Sequence, residues 1–205
     1  MAPLAPASAS FGVAYGVLAV TAGMGVVAPI VMSATTFAGS AQFAAASVIH
    51  DGGTVLAAVG AAILLNARYL AISVSIAPAF QGSRLRRFLE AQLLVDESWA
   101  VSQVGDGRID RRMLMGAGAL LFPCWVGGTA LGVFGGDVLG DPKRLGLDAA
   151  FPALFLALLI TLTVGRRGVL AAVAGGVIAL VLLPIAPAGV PVIAAGAVCL
   201  VGLRK

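Results

Sequence analysis

Seven stretches of this chain, residues 11–24, 29–49, 55–78, 113–134, 149–164, 168–184 and 189–203, carry between them one formally charged side chain, Arg68. A helix needs about 20 apolar residues to cross about 30 Å of hydrocarbon. Four of the runs approach or reach that length; those at 11–24, 149–164 and 189–203 are shorter. Composition points the same way. The chain is 60% apolar and 11% charged, against about 25% charged in an ordinary soluble domain, and its mean hydropathy is +1.05. A water-soluble globule lacks material here for its polar shell, and a disordered chain would not be this apolar. The expectation is an all-α polytopic bundle of about seven transmembrane helices, with residues 1–205 forming one integral membrane domain.

Charge placement orients such a bundle. Arg84, Arg86, Arg87, Arg108, Arg111 and Arg112 lie between the third and fourth runs, Arg166 and Arg167 between the fifth and sixth, and Arg204 and Lys205 at the end. With seven spans these ten of the thirteen cations share one side, and the other side holds Lys143 and Arg144. The positive-inside rule then places the N-terminus outside and the C-terminus in the cytoplasm. The same placement accounts for the net charge of +4 without nucleic acid as a partner. Residues 88–103 are moderately apolar but contain Glu90, Asp96 and Glu97. As an eighth span they would move three arginines outside, so the segment 81–112 is expected on the cytoplasmic side, as a helix or re-entrant piece against the bundle. The first ten residues carry no Lys or Arg, so no secretory signal peptide is expected.

The run Val55-Leu56-Ala57-Ala58-Val59 recurs as Val169-Leu170-Ala171-Ala172-Val173, and Phe11, Gly16 and Ala19 share a frame with Phe122, Gly127 and Ala130. Two three-span units, 11–80 and 113–186, would be inverted relative to one another, an arrangement that recurs in transporters. Chance matching in so apolar a chain is the other reading. Gly12 with Gly16, Gly128 with Gly132, and Gly132 with Gly136 are small-xxx-small pairs that mark helix packing. Cys124 and Cys199 lie in apolar runs without metal-ligand spacing and read as small core residues. No Walker loop, HExxH, GxSxG or cysteine–histidine cluster is present, so neither enzyme chemistry nor a metal or cofactor is expected.

Arg68 is the most informative polar residue. An arginine inside an apolar span must face the bundle interior or a wet cavity, with an acceptor. Three roles fit: anchoring a substrate carboxylate through its guanidinium fork, a structural ion pair with Asp96 or Glu97, or snorkelling to the membrane surface. Asn66, two residues earlier, points to the opposite side of the helix and serves either a cavity or a neighbouring span. Asp96 and Glu97 sit between Leu93-Leu94-Val95 and Trp99-Ala100-Val101. Partial burial would fit them for carrying protons; a solvated face is the alternative. The second span holds Ser33, Thr35, Thr36, Ser40 and Gln42 around Phe37-Ala38-Gly39. Such polar density either frees backbone groups for a ligand or serves helix packing. His50 and Asp51 fall at the outer turn and receive no role.

In this order and spacing, Phe11-Gly12-Val13-Ala14-Tyr15-Gly16, Phe37-Ala38-Gly39-Ser40-Ala41-Gln42-Phe43, Leu65-Asn66-Ala67-Arg68-Tyr69 and Asp96-Glu97-Ser98-Trp99-Ala100 make a chain that resembles the AzlC family, the azaleucine-resistance type of branched-chain amino-acid exporter. The motif similarity covers roughly residues 11–135. The resemblance implies a prokaryotic plasma-membrane permease that exports valine, leucine, isoleucine or a similar hydrophobic amino acid. It also implies a small AzlD-type membrane partner and an ion gradient as driving force. It carries substrate-binding roles onto Phe37, Gly39, Ser40, Gln42, Asn66, Arg68 and Tyr69, and ion coupling onto Asp96 and Glu97. Many members have histidine where this chain has Tyr69, which puts a proton role there in doubt. A non-transporting scaffold for the partner and a passive channel are the alternative functions.

Overall fold

The computed structural model describes residues 4–104, 108–139 and 165–186, with residues 156, 159–160, 163, 190–191 and 194–195. The expected spans at 149–164 and 189–203 fall largely outside the described residues. Nine α-helices follow in order among the latter. They are α1 (Leu4–Thr21), α2 (Val27–Thr35), α3 (Gly39–His50), α4 (Val55–Asn66), α5 (Arg68–Ile76), α6 (Arg84–Ala91), α7 (Asp96–Val101), α8 (Arg111–Leu139) and α9 (Gly165–Leu182). The stretches Leu4–Thr21, Arg111–Gly136 and Gly165–Leu182 are long and apolar enough to cross a membrane, and Val55–Leu70 is a shorter apolar stretch. Leu56, Ile63, Leu70, Leu131 and Phe134 leave their side chains exposed on the outer faces, as lipid-facing residues do. The architecture is the expected all-α membrane helix bundle.

Glycine determines how its centre packs. Helix α1 runs along α8, and the two backbones touch. A Cβ on Gly12 would sit 2.6 Å from the Trp125 carbonyl oxygen; one on Gly16 would strike the Thr129 carbonyl, on Gly128 the Ala9 carbonyl, and on Gly132 the Val13 carbonyl. Lipid tails supply no hydrophobic drive between helices, so this close van der Waals approach does the holding. The small-xxx-small pairs Gly12/Gly16 and Gly128/Gly132 thus face each other. Around them, α3 packs on α1 and α4, while α2 and α7 pack on α8. Tyr15, Phe43 and Trp125 form the aromatic centre, with Tyr15 stacked on Trp125 at 6.2 Å and edge-on to Phe43 at 5.7 Å.

Two of the expected spans are broken. The run 29–49 becomes α2 and α3, interrupted where Phe37 adopts φ 43° and Ala38 φ −134°, ψ 85°. A side chain in the left-handed region costs energy and persists only where its surroundings enforce it. Both exposed backbone ends are satisfied by side-chain amides. The Thr35 carbonyl accepts from Gln92 Nε2, and the Ala38 N–H donates to Gln42 Oε1 at 3.3 Å. The run 55–78 is divided at Ala67, where Ala67 N–H donates to Leu64 O at 3.2 Å and Leu70 N–H to Ala67 O at 3.1 Å. These are the i→i+3 bonds of a tightened turn.

The segment between α5 and α8 holds two short α-helices, each too short to cross a bilayer. Ser83 caps α6 through its hydroxyl, which accepts from Arg86 N–H. The Ser98 hydroxyl accepts from Val95 N–H at 2.9 Å and pins the start of α7. Asp110 opens α8 by accepting from Arg112 N–H at 2.8 Å and Met113 N–H at 3.2 Å. Glu90 ties α6 to α8, accepting from Arg86 Nε at 2.8 Å and from Arg111. The hydrogen bond from Arg86, helped by Arg111, holds the Glu90 carboxyl below its ordinary range.

Candidate functional site

Three of these helices begin at one place. Gly39 opens α3, Arg68 opens α5 and Asp96 opens α7. Each start is the positive end of a helix dipole. Arg68 adds a full positive charge there, at a position its own helix disfavours, and four acceptors compensate. Its Nη2 donates to Asp96 Oδ2 and to Ser40 Oγ, both at 2.6 Å, its Nε to Asp96 Oδ1 at 3.1 Å, and its Nη1 to the Leu65 carbonyl at 2.6 Å. The guanidinium also lies 4.8 Å from the Tyr69 ring centre, within cation–π range. Arg68 and Asp96 are each about one-fifth exposed. Asp96 therefore holds the arginine fork in two-point contact, the geometry a free carboxylate would adopt.

A cavity of about 180 Å³ lies against Asp96 of this pair. Phe37, Gly39, Ser40, Tyr69, Asp96 and Glu97 line its polar end, and Phe11, Leu121 and Trp125 its apolar wall. Arg68 stands directly behind Ser40 and Asp96. The two helix breaks explain the convergence. The first turns the start of α3 inward at Phe37, and the second places Arg68 at a fresh helix start. Among the described residues Glu97 has no ion pair, although it adjoins Asp96 in sequence and lines the same space.

Two residues from the sequence reading lie elsewhere. Gln42 sits behind the cavity in a sealed hydrogen-bond network. Its Nε2 donates to Ser33 Oγ at 2.8 Å, and its Oε1 accepts from Trp125 Nε1 at 3.0 Å and from Ala38 N–H. Ser33 Oγ pairs with Thr129 Oγ1 at 2.8 Å, which bonds the Trp125 carbonyl at 2.9 Å. Gln42, Ser33 and Thr129 are fully buried. The network holds the break and the Trp125 wall together. Gln42→Leu strands two donors, Trp125 Nε1–H and the Ala38 N–H, each costing about 1–3 kcal/mol when buried and unsatisfied, while Ser33 keeps Thr129. A fall of several kcal/mol in unfolding free energy in detergent is the expected result. Asn66 faces a separate, largely apolar cavity of about 550 Å³ beside Met24, Met32 and Leu70, and its Oδ1 is buried without a hydrogen-bond partner. Trp125 was not identified from sequence as a wall residue. Its contact with Gln42 joins positions 83 apart, and no local pattern announces it.

Residues 3–139 match the family model described as AzlC protein. An uncharacterized membrane protein of Archaeoglobus fulgidus is 38% identical over 169 residues, covering 81% of this chain and 74% of its own length. The branched-chain amino acid transport protein AzlC of Bacillus subtilis is 29% identical over 153 residues, covering 73% of this chain and 59% of that protein. An uncharacterized membrane protein of Helicobacter pylori is 24% identical over 150 residues, covering 72% of this chain and 65% of its own. No solved structure matches this chain. The family match takes in α1 to α8, hence the two broken helices, the Arg68–Asp96 pair and its cavity: this chain belongs to the AzlC family.

Proposed function

We propose that this protein is a secondary transporter that exports branched-chain or similar hydrophobic amino acids across the prokaryotic plasma membrane, together with a small AzlD-type membrane subunit. The transport assignment rests on the likeness to the Bacillus subtilis protein. The observation that carries the site is the ion pair of Arg68 with Asp96, whose carboxylate side lines a small cavity with an aromatic wall. A zwitterionic amino acid brings its own carboxylate and ammonium. Parting the pair offers Arg68 and the N–H groups at the start of α3 to the carboxylate, and Asp96 to the ammonium. The aliphatic side chain then lies against Phe11, Leu121 and Trp125. At about 180 Å³ the cavity falls below the ~300 Å³ at which pockets for drug-sized ligands begin, a scale suited to a single amino acid. The N-terminus lies outside and the C-terminus in the cytoplasm, as the arginine-rich segments favour.

Export against a gradient needs a coupled ion. Glu97 is the candidate proton carrier, since it shares the cavity with Asp96 and has no ion pair among the described residues. Counterflow of labelled leucine into proteoliposomes preloaded with unlabelled leucine, with and without the small subunit, tests the carrier. Accumulation above equilibrium is expected, whereas a channel or scaffold gives none. Glu97→Gln is expected to keep counterflow and lose the acceleration caused by an imposed pH gradient. If the gradient still accelerates transport in that variant, Glu97 is not the coupling group.

A further inference from the structure

Helix α6 carries a second charged site, away from the Arg68 cavity. Leu85, Phe88 and Leu89 form one face of the helix and stand exposed, while Arg84, Arg86, Arg87 and Glu90 occupy the other. Arg86 is paired with Glu90. The guanidinium groups of Arg84 and Arg87, one turn apart, have no hydrogen bond or ion pair among the described residues. Both residues line a groove of about 360 Å³ between α6 and the end of α5, with Ile76, Phe80 and Leu94 as its apolar floor and the exposed Phe88 at its edge. Topology alone asks for positive charge in this segment but not for two free guanidinium groups heading an apolar groove. Nor does helix stability ask for them, since the first turn of α6 holds three arginines and no acid, where a helix favours anions.

We propose that this groove is a binding site for one anionic phospholipid of the adjoining leaflet, with its phosphate on Arg84 and Arg87 and an acyl chain along Ile76, Phe80 and Phe88. Guanidinium forks match phosphate oxygens, and a basic, amphipathic helix beside the spans of a membrane protein lies where headgroups are. The apolar interior selects a lipid over a soluble phosphate. In this position the lipid bridges α6 to the end of α5, the helix that begins with Arg68.

Native mass spectrometry of the full chain in neutral detergent, titrated with dioleoylphosphatidylglycerol or dioleoylphosphatidylcholine, tests the site. A preference of about tenfold or more for the anionic lipid is expected from two arginines, and Arg84→Gln/Arg87→Gln should abolish it. Phe88→Ser, at an exposed position, should weaken binding of the anionic lipid while leaving the fold intact. Glycerol phosphate in excess should not compete. Equal binding of the two lipids, a preference that survives the double substitution, or displacement by glycerol phosphate would each overturn the proposal.

Discussion

Arg68→Ala is expected to abolish leucine counterflow, and Arg68→Lys to abolish it nearly as fully. The lysine keeps the charge but loses the planar fork that meets Asp96 through two bonds and Ser40 and Leu65 through two more. Removing one member of a buried ion pair costs about 3–5 kcal/mol, somewhat less here because each side chain is about one-fifth exposed. The alanine variant is therefore also expected to be less stable, and inactivity alone would not separate binding from scaffolding. The double substitution Arg68→Gln/Asp96→Asn separates them, because it removes both charges and leaves none stranded. It should recover most of the stability lost in Arg68→Ala, measured by thermal unfolding in detergent, and still fail to transport. A double variant that transports would reduce the pair to an assembly contact.

Gly132→Val is expected to remove folded protein from the membrane. Its Cβ meets the Val13 carbonyl of α1, and Gly16 meets the Thr129 carbonyl of α8 in the same seam. A flexible side chain would yield to such an intrusion; a backbone carbonyl within a helix does not, so α1 and α8 must separate. Overpacking a tight core costs about 1–3 kcal/mol, and separating two backbones lies at or beyond the top of that range. Gly127→Val, on the same helix with nothing within 4 Å of its Cβ, is the matched control and should express normally. Comparing detergent-soluble, monodisperse protein for the two variants gives the answer. Equal yields would remove the glycine seam from the account of stability.

Much of this was legible before any coordinates, for identifiable reasons. The near absence of charge in the long runs specified membrane helices because a bilayer tolerates so few alternatives. Arg68 stood out because its cost inside such a run demands an acceptor, and Asp96 was among the acceptors foreseen. The small-xxx-small spacing pointed to packing. It did not say that Gly12 and Gly16 would meet Gly128 and Gly132, because pairing between helices is not written in either helix alone. The polar cluster around Gly39 suggested a loosened helix. Phe37 rather than Gly39 takes the left-handed conformation, stabilised by Gln42 one turn on and by Gln92, from a position a local reading does not connect. The break at Ala67 had no sequence sign, since Asn66-Ala67-Arg68 contains neither proline nor glycine. Gln42 and Asn66 share the polarity of the cavity residues, yet helix rotation places one in a sealed network and the other on a different cavity.

In the proposed function, Arg68 and its neighbours bind the carboxylate of a hydrophobic amino acid. Scintillation-proximity binding of labelled leucine to the purified protein, with and without the proposed small subunit, tests it most directly, with unlabelled leucine and leucinamide as competitors. Leucinamide keeps the side chain and the ammonium group and lacks the carboxylate. Displacement by leucine and not by leucinamide, with no specific binding to a folded Arg68→Lys variant, is the result predicted. Equal displacement by both compounds, or unchanged binding to Arg68→Lys, would contradict it.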